Sequence, residues 1–262
     1  MYQFAEPQGL VRQIRSTLRS NAGPLILAAG LLATGRTIEV ATYDQEVKGL
    51  TIAAAVEVAL LIAGNALATL VGCWAVLSGG RPAGFAGLRA VPPKRAAPFL
   101  GYAVLFYLWF LILAALLGRF AAFLMVGEGP DTIFSAAVVG LITTVTLILM
   151  YLQLGFLFPD TVQSGESSVI FAMALGFSAA GRVIAAVAPP ALILILPQAV
   201  LSEILFGPAG VQRAAAIFPS LLDLGGLLIL SGLGAAGAMA CAVAMTRQYQ
   251  ALTQALPDGA WR

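Results

Sequence analysis

Long apolar runs separated by short polar segments organise this chain. Five runs are long enough to cross a bilayer as helices: residues 50–77, 98–126, 133–158, 183–205 and 224–246. A hydrocarbon core of about 30 Å takes about 20 mostly apolar helical residues. Charge inside these runs is confined to Glu57, Arg119 and Glu203. A sixth, weaker run, 24–41, carries Arg36 and Glu39 in its last turns, where both can reach toward the interface. The runs are continuous, without the alternation that marks β-barrel strands. The expected fold is therefore all-α and polytopic, with six transmembrane helices.

Two polar interruptions have helical pattern of their own. In 9–20, Leu10, Ile14 and Leu18 recur at helical spacing among Arg12, Arg15 and Arg19, which suits a helix lying on an anionic leaflet. In 156–193, the run FLFPDTVQSGESSVIFAMALGFSAAGRVIAAVAPPALI stops at Pro159-Asp160 and turns through a Gly/Ser-rich stretch. It then enters 167–180, too polar to span and too apolar for a loop. Ile170, Met173 and Phe177 form one stripe there, with Glu166 and Ser167 as start residues. Two interfacial helices on the cytoplasmic side are expected. The whole chain reads as a single membrane domain, 1–262. Its parts are a basic amphipathic helix in 1–23, a six-helix bundle in 24–246 with the interfacial segment 160–180, and a tail in 247–262.

Charge supports this count. Only 10% of the residues are charged and 60% are hydrophobic, with a mean hydropathy of +0.94. A soluble domain would carry about 25% charge. Basic residues concentrate in alternate segments: Arg12, Arg15 and Arg19, then Arg81, Arg89, Lys94 and Arg95, then Arg247 and Arg262 against Asp258. The intervening segments are mixed, so both ends are expected in the cytoplasm. The segment around 160–182 departs from the trend, with Asp160 and Glu166 against Arg182. The first run follows three arginines, as a signal peptide does, but has no clear cleavage pattern and reads as a retained span. A net charge of +2 gives no reason to expect nucleic acid.

Candidate chemistry is sparse. There is no histidine, and Cys73 and Cys241 lie inside apolar runs where packing is the simpler reading. Ser164, Ser167 and Ser168 lie near Asp160 and Glu166 but have no histidine or lysine beside them to activate a hydroxyl, and turn chemistry is the simpler reading. Neither an enzyme nor a cofactor is expected. The intramembrane polar residues are Arg36, Glu57, Arg119 and Gln153. Glu57 reads as the partner of Arg36 or Arg119, or else as a proton or substrate site or a group exposed at the outer interface. Gln153 reads as an interhelical hydrogen bonder, and Thr143, Thr144 and Thr146 as hydroxyls bonded back to the preceding turn. Small residues recur at Gly64, Ala68 and Gly72, and at Gly226, Gly234, Ala238 and Ala242, where helices can approach closely or the chain can self-associate. Pro189, Pro190 and Pro197 should kink or break the fifth run.

Three pieces resemble the YciC-like family of bacterial inner-membrane proteins, and more distantly the membrane domain fused to some glycerophosphodiester phosphodiesterases. They are LVRQIRSTLRSNAGPLIL, SGGRPAGFAGLRAVPPKRAAPFL, where a short helix precedes the third span, and FLFPDTVQSGESSVIFAMALGFSAAGRV. The resemblance covers nearly the whole chain and implies a six-helix inner-membrane fold. It carries over no catalytic residue. The last piece departs from the family in having Phe171, Ala172, Met173 and Ala174 where basic residues are typical. The function expected is a non-enzymatic scaffold or accessory subunit. It would bind anionic phospholipid through Arg12, Arg15, Arg19, Arg81, Arg89, Lys94 and Arg95, and pack against a membrane partner or another copy of itself. The alternative is a small transporter or channel for a lipid or apolar solute, using the fifth span and Glu57.

Overall fold

A computed structural model describes residues 7–42, 52–124, 132–206 and 221–254. The described chain is helical throughout. It runs α1 (Pro7–Ser20), α2 (Ala22–Thr42), α3 (Ile52–Leu77), α4 (Gly84–Ala90), α5 (Pro93–Leu124), α6 (Thr132–Leu154), α7 (Leu157–Ser164), α8 (Val169–Ser178) and α9 (Ala180–Pro190). A π-helical turn, Ala191–Ile195, leads into α10 (Leu196–Phe206), and α11 (Leu221–Thr253) closes the chain. By length and composition, five of these helices can cross a membrane: α3, α5, α6, the continuous α9–α10 unit and α11. This is a polytopic all-α membrane fold, because in hydrocarbon an apolar backbone must satisfy its own hydrogen bonds. α2 packs as the sixth member of the bundle, and its 21 residues extend about 31 Å at 1.5 Å per residue.

Glycines set how closely the helices approach. A Cβ on Gly64 would lie 2.8 Å from Leu32 Cγ and 2.9 Å from the Ala28 carbonyl, so α3 meets α2 there. A Cβ on Gly72 would lie 2.6 Å from the Met239 carbonyl, so α3 meets α11 one turn pair further on. Ala68, between them, is fully buried. The stripe expected on α3 is thus used within the chain. On α11 the expected stripe is used in part: Ala238 and Ala242 are buried and Ala242 meets α3 at Gly72, while Gly226 is half-buried and Gly234 has ordinary spacing to its neighbours; a further close approach falls at Gly237, against Ile195 of the π turn. Gly140 lets α6 meet α10 at Val200. The α2–α3–α11 core holds Leu25, Leu61, Val71 and Met239; the larger core joins α3, α5, α6, α7, α9 and α11.

Several boundaries differ from the sequence reading. α6 ends at Leu154, not at Pro159-Asp160. Pro159 instead sits in the first turn of a further helix, α7, where a missing N–H costs no hydrogen bond. α7 ends at Gly165, whose φ of +84° lets its N–H donate to the Thr161 carbonyl. α8 starts at Val169, two residues after Ser167, because the Ser168 hydroxyl caps it by accepting from Phe171 N at 3.4 Å. The fifth span does not break: Pro189 and Pro190 lead into the π turn, which widens the helix, and Pro197 lies in the first turn of α10. Residues 247–253 are not a tail but the last turns of α11. Three short helices, α1, α4 and α8, each precede a long helix.

Those three short helices share an arrangement. α4 lies against α2 and α3, α8 against α6, and α1 against α11. Each therefore braces at least one helix other than the one it leads into. The joints interlock: Gly84 N donates to Asn21 Oδ1 at 2.8 Å, and Gly23 packs on the Phe85 ring. One end of the bundle is thereby built from α1, α4, α7, α8 and the end of α11.

Candidate functional site

The base formed by the short helices carries most of the charge expected to meet lipid. Arg12, Arg15, Arg19, Arg81, Arg89 and Lys94 are all exposed there. Arg95 is half-buried, and its Nη1 donates to the Val162 carbonyl at 3.3 Å, so it serves α7 as well as the surface. Val11 on α1 is 66% exposed and Ile170 on α8 81%, so apolar side chains project beside the cations. On α8 the packed positions are Ala172 and Gly176; a Cβ at Gly176 would run into the Leu152 carbonyl of α6. The Ile170 and Phe177 stripe thus faces away from the protein, as an interfacial helix requires. Arg247 was not singled out in the sequence as a site. It lies beside Gly9 of α1, and its Nη1 is buried without a hydrogen-bond partner.

Asp160 sits in the first turn of α7 and accepts from the Tyr249 hydroxyl at 2.7 Å. Burial pushes its carboxyl above the ordinary value of 3.8, opposed by the Tyr249 hydrogen bond and the nearby Ser167. Because the folded-state value lies above the unfolded one, this group's stabilising contribution is full below the unfolded pKa. It is lost as pH rises through the folded pKa. Asp160→Asn keeps an acceptor for Tyr249 and removes the titration. Melting curves in nanodiscs across about pH 4 to 7 should therefore slope less for the variant than for the parent. Equal slopes would remove Asp160 from the account.

A second region lies inside the bundle. A cavity of about 210 Å³ touches α2, α3, α5, α6, α10 and α11. Arg36 and Ser202 stand toward the end away from the base. Asn65, Thr143, Gln198 and Ser231 come in from four helices at middle depth. On the base side Tyr107 and Tyr151 line it. The Tyr107 hydroxyl and Thr69 Oγ1 lie 2.5 Å apart, whereas the buried Tyr151 hydroxyl has no hydrogen bond of good geometry.

The other intramembrane candidates fall around this cavity. A Cβ on Gly35 would lie 3.2 Å from the Glu57 carbonyl oxygen, which sets Arg36 and Glu57 at the same height on neighbouring helices. Neither side chain is free of partners. Gln153 is half-buried on α6 and does not line the cavity. Thr144 and Thr146 are buried, and Thr144 donates to the Gly140 carbonyl at 2.8 Å. Arg119 lies on α5, with its side chain outside the described residues, as are those of Glu39 and Glu203. Segments 43–51, 125–131 and 207–220, with their expected mixed charge, lie outside them too, as do Asp258 and Arg262. Asn65, Gln198 and Ser231 were missed in the sequence; each is an isolated polar residue in an apolar run, the only signal available.

The fold and these two regions define a polytopic helical membrane protein with a basic end and an internal cavity in which a few polar side chains stand among apolar ones. No family model, curated protein or solved structure matches the chain.

Proposed function

We propose that this chain is a non-enzymatic integral membrane protein that seats its basic end on anionic phospholipid and serves as a scaffold or accessory subunit. α2 is its sixth crossing, in a bacterial inner membrane as the resemblance to the YciC-like family implies, and both ends face the cytoplasm, which the distribution of basic residues between segments supports. The observation that carries the reading is the convergence of α1, α4 and α8 at one end, with exposed arginines beside exposed apolar side chains. Cation and apolar anchor together are what an interfacial helix needs on an anionic leaflet. Each basic residue near the surface contributes about 1 kcal/mol. Replacing Arg12, Arg15 and Arg19 together by glutamine should therefore weaken retention of anionic lipid on the order of 100-fold. Native mass spectrometry from nanodiscs reads this directly, and unchanged retention by the triple variant counts against the proposal.

A solute transporter is the second reading. It is favoured by a cavity reached from six helices, one of which carries the π turn. Uptake of a labelled solute into proteoliposomes would put this reading ahead of the scaffold.

A further inference from the structure

The cavity has the wrong lining for a packing defect. A void left by imperfect packing between apolar helices is apolar and dry. Here Asn65, Thr143, Gln198 and Ser231 converge from α3, α6, α10 and α11 on one space. Polar side chains in hydrocarbon are costly and turn toward one another or toward a wet cavity. These turn toward the cavity. Asn65 Nδ2 donates to the Leu61 carbonyl at 2.9 Å, which leaves its Oδ1 as an acceptor on that side. The buried Tyr151 hydroxyl stands at the wall close to that of Tyr107, without a hydrogen bond of good geometry between them.

Size and charge narrow the guest. An apolar cavity of about 150 Å³ takes benzene. In proportion, 210 Å³ takes on the order of eight non-hydrogen atoms. A whole phospholipid does not fit within that volume. Amides and hydroxyls at middle depth suit a molecule that both donates and accepts. Arg36 at the rim supplies the one cation among the described lining residues. A guanidinium has five N–H donors, so holding a protein partner does not exhaust it.

We propose that this cavity is a binding site for a small hydroxylated monocarboxylate. Its carboxylate meets Arg36, and its hydroxyls meet Asn65, Gln198 and Ser231. The site is independent of the headgroup surface: one lies within the bundle, the other on its base.

The test is a binding assay on the full chain in nanodiscs, with radiolabelled glycerate as probe and glyceramide, which lacks the charge, as competitor. Saturable glycerate binding is expected, with glyceramide a poor competitor. Arg36→Gln should weaken binding at least about tenfold, while Arg36→Lys retains part of it. Gly234→Val gives an independent check. A Cβ there has ordinary spacing and meets side chains alone, 3.7 Å from Leu32 Cδ1 and 3.8 Å from Gln198 Cδ, so the added side chain is directed into cavity space. It should abolish binding while melting like the parent. Absence of saturable binding overturns the proposal, as does full binding in Gly234→Val. Equal competition by glyceramide overturns the anionic class. Loss of binding in the Arg12, Arg15 and Arg19 triple variant would also overturn it, because the site would then depend on the base.

Discussion

Gly72→Val should lower the stability of the folded chain by about 3 kcal/mol, the upper end of the usual cost of overpacking. The Cβ alone would stand 2.6 Å from the Met239 carbonyl oxygen, 2.8 Å from Ala242 Cβ and 3.3 Å from Val243 N. Two of these are backbone atoms, so no side chain can rotate away to make room. The helices α3 and α11 must separate. The same contact line continues through Ala68 and Gly64 to α2, so separation at Gly72 also disturbs the α2–α3 seam. Gly101→Val is the control. It lies on α5, is exposed, and a Cβ there meets nothing within 4 Å. Its change should stay within about 0.5 kcal/mol. Reversible unfolding in mixed detergent micelles compares the two, and a Gly72 variant that unfolds with its parent would show that α3 and α11 do not need this approach.

Membrane helices were legible because lipid makes the signal strong: a run of apolar residues with no charge has few other solutions. The stripe of Gly64, Ala68 and Gly72 was legible for a related reason, since small residues are the means of close approach when no hydrophobic force drives helices together. α7 was not legible. Pro159, Asp160 and Gly165 all read as punctuation, yet a helix of eight residues places Pro and Asp in its first turn and Gly at its end. The same residue types mark the edge of a helix from either side. Only tertiary packing decides, and here the buried faces of Leu157, Phe158 and Val162 decide it. The cavity was hidden more deeply. Asn65, Gln198 and Ser231 lie on helices distant in sequence, and each alone has an ordinary packing explanation. Gln153 drew attention by the same criterion and lies off the cavity. Residue type does not encode which helical face meets the bundle axis, since the apolar residues on these helices surround the polar ones on every side.

The packing of α7 leads to the last expected result. Phe158 is 1% exposed, with its ring centroid 5.0 Å from that of Phe106, 5.5 Å from Phe99 and 6.5 Å from Tyr151. These partners come from α5 and α6, so Phe158 ties α7 to both. Phe→Ala in a core costs about 3–5 kcal/mol in soluble proteins. Part of that cost is transfer from water, which a site at the end of a membrane bundle recovers less fully. A loss of about 3 kcal/mol is expected for Phe158→Ala. The stronger test is where the loss appears. α7 receives Arg95 at the Val162 carbonyl and Tyr249 at Asp160, and Tyr102 donates to the Ser167 carbonyl at 2.9 Å. Releasing the ring should loosen all three together. Hydrogen exchange in nanodiscs should then rise across 157–178 while α3 and the middle of α11 stay protected. Phe158→Leu, which refills much of the volume, should recover most of the protection. If exchange instead rises uniformly, α7 is not a separate wedge but part of one cooperative bundle. The α2–α3–α11 core would then depend on the aromatic cluster as much as α8 does.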